Sequence, residues 1–171
     1  MIQKINKILI VGLGSMGKRR IRNLQKLGYG NLFGFDLRDD RILDTKKKYK
    51  IKCFNNFKNA LNEIPDIMII STPPHLHKEY AKKAIQQNIH VFLEVNLLSD
   101  HVKSILKFSK KSSSIICTSN TMRFHPVVKK LKILVDQKKI GKIYSIHHHT
   151  GHFLPSWHPW ENYKEFFVSQ K

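Results

Sequence analysis

Residues 12–17 read Gly12-Leu13-Gly14-Ser15-Met16-Gly17, between a strand-like apolar stretch at residues 7–11 and a helix-like stretch at residues 18–27. Glycines at this spacing let a backbone turn sharply, approach a pyrophosphate closely and pack a helix tightly on a sheet. The phosphate then meets the free N–H groups and positive dipole end of the helix that follows. Ordinary turns also use glycine, so the flanking strand and helix carry the argument. An acid in the right place supports it: Asp36 lies 19 residues after Gly17.

The rest of the chain alternates strand and helix up to about residue 120. Strands are expected at residues 5–11, 31–36, 51–54, 67–70, 89–94 and 114–118. Helices are expected at residues 15–27, 39–49, 57–63, 77–87 and 100–110, the first with Met16, Ile21, Leu24 and Leu27 on one face. Continuous apolar strands between helices of this length predict a parallel sheet covered on both sides, a doubly wound α/β fold. Ligands of such sheets sit at the C-terminal strand ends. Residues 1–120 are therefore expected to form a dinucleotide-binding Rossmann domain.

The pattern changes after Asn120. A basic helix is expected at residues 124–137, entered through His125-Pro126, and then a strand at residues 142–150. Residues 121–171 thus read as a connecting helix and the first part of an incomplete substrate domain. His147, His148 and His149 would alternate faces in that strand and could not share one metal. The run Trp157-His158-Pro159-Trp160-Glu161-Asn162-Tyr163 suits either stacking on a sugar ring or anchoring an interface.

Composition bounds the partners. The 171 residues carry 31 Lys and Arg against 12 Asp and Glu, a net charge of +19. The lysines are spread over every segment, which argues for a solvated surface and against a nucleic-acid partner. No apolar run reaches the length of a membrane span. Lys4 and Lys7 before residues 8–11 only faintly mimic a signal peptide, and the glycines and Lys18-Arg19-Arg20 spoil that reading. Two distant cysteines, Cys53 and Cys117, fit a reducing, cytoplasmic setting.

Several strand ends carry candidate site residues. Asp36 can accept hydrogen bonds from an adenosine ribose and would repel a 2′-phosphate, which favours NAD(H) over NADP(H). Arg38 could pair with that phosphate and moderates the preference. The alternative for Asp36 is a turn or helix-cap acid. Ser71, Thr72 and Pro73 would wall the cofactor site, or with Pro74 simply start a helix. His75 and His77 lack supporting ligands at metal-binding spacing, so no metal is expected. Glu94 would face the nicotinamide end or serve as a satisfied structural carboxylate.

Together the glycine turn, Ser71-Thr72-Pro73-Pro74 with His77, the run His90-Val91-Phe92-Leu93-Glu94 and Asn120-Thr121-Met122-Arg123-Phe124-His125-Pro126 resemble the Gfo/Idh/MocA family of oxidoreductases. The resemblance implies an N-terminal Rossmann domain for NAD or NADP. It also implies a C-terminal α/β domain that holds the substrate and often builds an oligomer. The implied activity is hydride transfer at a carbon of a sugar, sugar nucleotide or cyclitol, with the Trp-rich stretch looking like relatives in surface-sugar synthesis. Two departures stand out. The family's Glu-Lys-Pro run, whose lysine assists proton transfer, is Glu94-Val95-Asn96 here. The family's later Asp and His pair would lie beyond Lys171. The chain is thus expected to be part of a longer enzyme or a nucleotide binder without turnover. His125 and His152 are the candidate proton partners, and a homo-oligomer is expected only with a full C-terminal domain.

Overall fold

The computed structural model describes residues 7–94, 98–157, 159, 162–165 and 169. They fall into two compact units, divided between Asn120 and Thr121.

The first unit is built on six parallel strands: β1 (Ile8–Val11), β2 (Leu32–Phe35), β3 (Lys52–Phe54), β4 (Ile67–Ile70), β5 (His90–Leu93) and β6 (Ile116–Thr118). Their order in the sheet is β3-β2-β1-β4-β5-β6. Register is continuous across the centre, with Leu9 opposite Phe33 on one side and Met68 on the other. The helices are α1 (Ser15–Lys26), α2 (Asp39–Tyr49), α3 (Phe57–Leu61), α4 (His77–Gln86) and α5 (Ser99–Ser109).

Side chains alternate across a strand, so each central strand feeds two cores. Leu9, Val11, Phe33, Phe35, Met68 and Ile70 pack on one face with Ala81, Ala84 and Ile85 of α4 and Ile105 of α5. Ile8, Ile10, Leu32 and Ile69 pack on the other with Ile21 of α1 and Ile42 and Tyr49 of α2. The strands therefore read as unbroken apolar runs because both faces are covered. In α1 only part of the expected apolar face is buried: Ile21 is fully covered, whereas Leu27 forms the C-cap and is exposed.

Helices α1 and α2 lie on one face and α4 and α5 on the other, so the connections change side between β1 and β4. That is the topological switch point, where adjacent loops diverge and leave a crevice at the C-terminal strand ends.

The second unit contains a 3₁₀ turn at Thr121–Phe124, α6 (Pro126–Asp136), α7 (Leu154–Trp157) and a 3₁₀ turn at Tyr163–Glu165. Helix α6 carries Pro at its start, and the Nδ1 of His125 accepts from Val127 N at 3.3 Å to cap it. Residues 142–150 form no strand, contrary to the expectation, and are exposed throughout. A strand is held by a neighbour that takes its N–H and C=O groups, and the described residues offer these none. His147, His148 and His149 accordingly sit on irregular exposed chain. Of the Trp-rich run, His158, Trp160 and Glu161 lie outside the described residues. No helix among the described residues is long and apolar enough to cross a membrane.

Candidate active site at the sheet's switch point

The glycine loop joins β1 to α1, and its three glycines answer to different constraints. Gly12 has φ +90°, a backbone that side chains rarely adopt. A Cβ there would also lie 2.7 Å from the Ser71 carbonyl oxygen. At Gly17 a Cβ would lie 1.8 Å from the Gly12 carbonyl oxygen, so α1 could not close onto the loop. Both glycines are required by backbone packing alone. Gly14 is different. Its φ is −70°, and the nearest atom to an added Cβ is Arg41 Nη1 at 3.6 Å. The fold has room for a side chain at Gly14, so its absence leaves open space on the outer side of the loop.

Gly14 is also the N-cap of α1 and supplies no capping side chain. The first N–H groups of a helix have no intrahelical partner. At Ser15, Met16 and Gly17 these groups begin α1, with no acidic residue in the first turn to compete for them. Such a helix start, beside a loop that a ligand can approach closely, suits an anion.

Asp36 follows β2 and is buried. Its Oδ2 accepts from Leu13 N at 2.7 Å, and its Oδ1 accepts from Arg38 N at 3.0 Å. The carboxylate thus braces the glycine loop from the next strand and closes a turn at the start of α2. A carboxylate has about four acceptor sites, so these two bonds leave capacity for a ligand diol. The Arg38 guanidinium binds Asp40 through two bonds, at 3.0 and 2.6 Å, and that pairing holds the Asp40 carboxyl below its usual range. Arg41, which the sequence did not single out, lies 3.6 Å from Asp36 Oδ2.

Ser71 and Thr72 leave β4 directly against Gly12, and Ser71 N donates to Val11 O at 2.8 Å. Ser71 Oγ and Thr72 Oγ1 are buried without a hydrogen-bond partner. Hydroxyls in this state normally meet a ligand or water, because burying them unpaired is costly. Pro73 is followed by the 3₁₀ turn Pro74–Leu76, with Leu76 N donating to Pro73 O at 3.0 Å. His77 opens α4 completely buried, its Nε2 2.7 Å from Thr72 O. The carbonyl can only accept, so Nε2 carries the proton. Burial pushes the His77 imidazole below its ordinary value, opposed by that hydrogen bond and by the nearby Glu94 charge.

Glu94 follows β5. Its Oε1 accepts from Arg20 Nη2 at 2.7 Å and Nε at 3.0 Å, and the same Nη2 donates to Ser119 Oγ at 2.9 Å. Arg20 also lies over the Phe92 ring, 5.1 Å from its centroid. This cluster ties α1 to the ends of β5 and β6. Arg20 was not foreseen, because its partners are 74 and 99 residues away. Val95, which stands at the family's lysine position, lies outside the described residues. His125 and His152 belong to the second unit, the former capping α6 and the latter stacked on Trp157 at 5.7 Å. Among the described residues no three of His, Cys, Asp and Glu converge as a metal site.

The residues brought together are thus the glycine loop, Asp36, Arg41, Ser71 and Thr72, at the ends of β1, β2 and β4. Uncapped helix N–H groups, an open face at Gly14, a carboxylate with spare acceptor sites and unpaired buried hydroxyls fit a dinucleotide.

Comparison with known proteins gives the family. The chain is 30% identical over 142 residues to myo-inositol 2-dehydrogenase of Thermotoga maritima, a match covering 80% of this chain and 42% of that protein. It is 26% identical over 148 residues to glucose-6-phosphate 3-dehydrogenase of Bacillus subtilis, covering 85% of this chain and 42% of that protein. The crystal structure of myo-inositol 2-dehydrogenase from Lactobacillus plantarum superposes with a TM-score of 0.75 at 25% identity, over 82% of this chain and 43% of that one. The chain therefore spans about two fifths of the length of these relatives. Residues 6–118 match the oxidoreductase family with an NAD-binding Rossmann fold, and the chain belongs to that family, Gfo/Idh/MocA.

Proposed function

We propose that this chain provides the NAD(H)-binding part of a dehydrogenase acting on a hydroxyl-bearing carbon of a sugar, sugar nucleotide or cyclitol. One observation carries the reading: Gly14 lacks a side chain where the fold would accept one, beside the uncapped start of α1. Gly12, Gly14 and Gly17 would shape the pyrophosphate site, and the N–H groups of Ser15 and Met16 would meet its charge. Asp36 would accept from the adenosine ribose, which favours NAD(H) over NADP(H). Ser71, Thr72 and Pro73 would wall the site, and Glu94, held by Arg20, would stand towards its nicotinamide end.

A bound nicotinamide dinucleotide supplies C4 of its ring as hydride acceptor or donor. Oxidising a carbinol also removes a proton from its oxygen, and valine cannot take it. The proton partner in this chain is therefore a residue other than Val95, and we name His125 and His152. The relatives named for inositol and glucose 6-phosphate support the substrate class. Two free thiols, Cys53 and Cys117, support a cytoplasmic, reducing setting.

A second reading, nucleotide binding without turnover, is favoured by Val95 in place of the family's lysine. Calorimetric titration with NADH at ~0.3 M salt, where non-specific phosphate binding is suppressed, tests the shared part. We expect saturable one-site binding that Gly14→Trp abolishes without unfolding the chain. Binding that survives Gly14→Trp would remove the proposal. NAD⁺ reduction with myo-inositol or glucose 6-phosphate then separates the readings: turnover supports the enzyme, and saturable binding with no turnover on either supports the second.

A further inference from the structure

The sheet has an edge at β3 and an edge at β6, and the two are built differently. A sheet edge presents N–H and C=O groups that another strand can take up, and proteins guard such edges with charge. Edge β3 is guarded: the exposed Lys52 pairs with Glu63 at 2.6 Å and lies 4.9 Å from the centre of the Phe54 ring. Edge β6 is not. Residues 112–122 around it carry no charged side chain, in a chain of net charge +19. Val91 N donates to Ile115 O at 2.9 Å, and Ser119 N donates to Leu93 O at 2.6 Å. In this parallel register Ile115, Cys117 and Ser119 turn their backbone groups to β5, and Ile116 and Thr118 turn theirs outward. Among the described residues no strand lies beyond β6 to take them. Beside this edge Leu93, Val102, Ile105, Leu106, Ile116 and Thr118 line an open groove of about 340 Å³ between β6 and α5.

We propose that a second copy of this chain fills the edge: two β6 strands pair antiparallel about a two-fold axis at Cys117, and two six-stranded sheets become one. Two observations select a second copy. The edge is neutral, so it offers an acidic segment no cation, whereas two copies meet there without charge against charge. The outward residues lie symmetrically about Cys117, so the edge is complementary to itself. Ile116 of each copy stands opposite Thr118 of the other and exchanges both backbone bonds with it. The rotation keeps both α5 helices on one side of the joined sheet, where the two grooves adjoin. Cys117 falls opposite itself at a non-hydrogen-bonded position, with Cα atoms about 4.5 Å apart, within reach of a disulfide. The rest of each molecule is strongly basic, so the pairing is opposed by a repulsion that salt screens. The contact uses the first unit alone. It is independent of the dinucleotide reading and of the C-terminal domain on which the family resemblance makes an oligomer depend.

The test is analytical ultracentrifugation of the chain under reducing conditions at ~0.05 and ~0.5 M salt. We expect a reversible monomer–dimer equilibrium that tightens with salt. Thr118→Pro removes an outward N–H from an edge strand, where proline is tolerated, and Thr118→Lys places a charge at the joint. Each acts twice in a symmetric contact and should weaken the dimer by about tenfold or more. Gly151→Lys adds the same charge where nothing lies within 4 Å and should leave the dimer as it is. Oxidation with copper–phenanthroline should join the unmodified dimer through the exposed Cys117 and fail in Cys117→Ser, since burial holds the Cys53 thiol up at about 11. Thr118→Lys keeps Cys117 and should slow that cross-link. A chain that stays monomeric at both salts, a dimer unmoved by the Thr118 substitutions, or a dimer that yields no Cys117 cross-link would each overturn the proposal. Thermal melts of the dilute variants check that they fold, and if the proline variant does not, the lysine variant decides.

Discussion

In the first unit, all four residues of β1 and all four of β2 are buried, and α1, α2, α4 and α5 each send side chains into one of two cores. In the second unit, no described residue is buried, although α6 carries Val127, Leu131 and Ile133 and the following stretch carries Ile143, Tyr144 and Ile146. The local patterns are of similar quality. They differ in whether another element takes up the apolar face. Successive strands of the first unit are joined by helices that pack back onto the sheet, as connections between parallel strands do. An amphipathic helix, by contrast, announces a face without saying what covers it.

The largest break in this contrast should come from Gly17→Val. The added carbons meet the Gly12 carbonyl, so we expect loss of the folded first unit, with more than about 4 kcal/mol of destabilisation in urea melts. Gly151, around which nothing lies within 4 Å, should accept Ala within about 0.5 kcal/mol. Next is the core itself. Leu9→Ala removes a fully buried side chain and should cost about 2–5 kcal/mol by chemical denaturation. Ile146→Ala, at an exposed position, should change stability by less than about 0.5 kcal/mol. A Leu9 effect no larger than the Ile146 effect would erase the distinction between the units.

Smaller effects sharpen it. Arg20→Met leaves Glu94 and Ser119 without their shared partner and should cost about 1–3 kcal/mol, between exposed and fully buried pairs. Gln at Glu94 should recover part of that loss in the Arg20→Met background, which a thermal melt can read. The smallest effect is a slope with pH. The folded His77 imidazole titrates below its ordinary value of 6.5, so the unfolded chain binds the proton more readily. Its contribution is fully present above about pH 6.5 and falls as pH drops towards the folded value. Urea midpoints at pH 7.5 and 5.5 should therefore differ more for the unmodified chain than for His77→Phe. An identical difference in both would show that His77 is not buried neutral.

Local signals in the chain carried much of the fold and part of the site. The six strands and five helices of the first unit sit within a few residues of where periodicity puts them, because each apolar run is bounded by turn residues. The glycine loop was legible because its strand, turn and helix are consecutive. Residues 142–150 were misread because β-branched, aromatic and His content is a local preference, while a strand exists only with a partner. Leu27 was misplaced because helical periodicity does not mark where α1 ends. Arg20 and Arg41 went unnoticed for a different reason. Each is one of many basic residues, and nothing local distinguishes the one that faces Glu94 or Asp36.

The sequence by itself determined the α/β class, the sheet-forming runs, the glycine turn and the family resemblance. Each of these is set by backbone stereochemistry or side-chain periodicity within a short window. Only the tertiary structure decided which glycine is dispensable to the fold, that Asp36 braces Leu13, that Glu94 is held by Arg20 and that Arg41 lies beside Asp36 and Gly14. Those facts depend on groups far apart in the chain meeting at adjacent strand ends. Strand order and crossover geometry create that meeting, and no local window contains it.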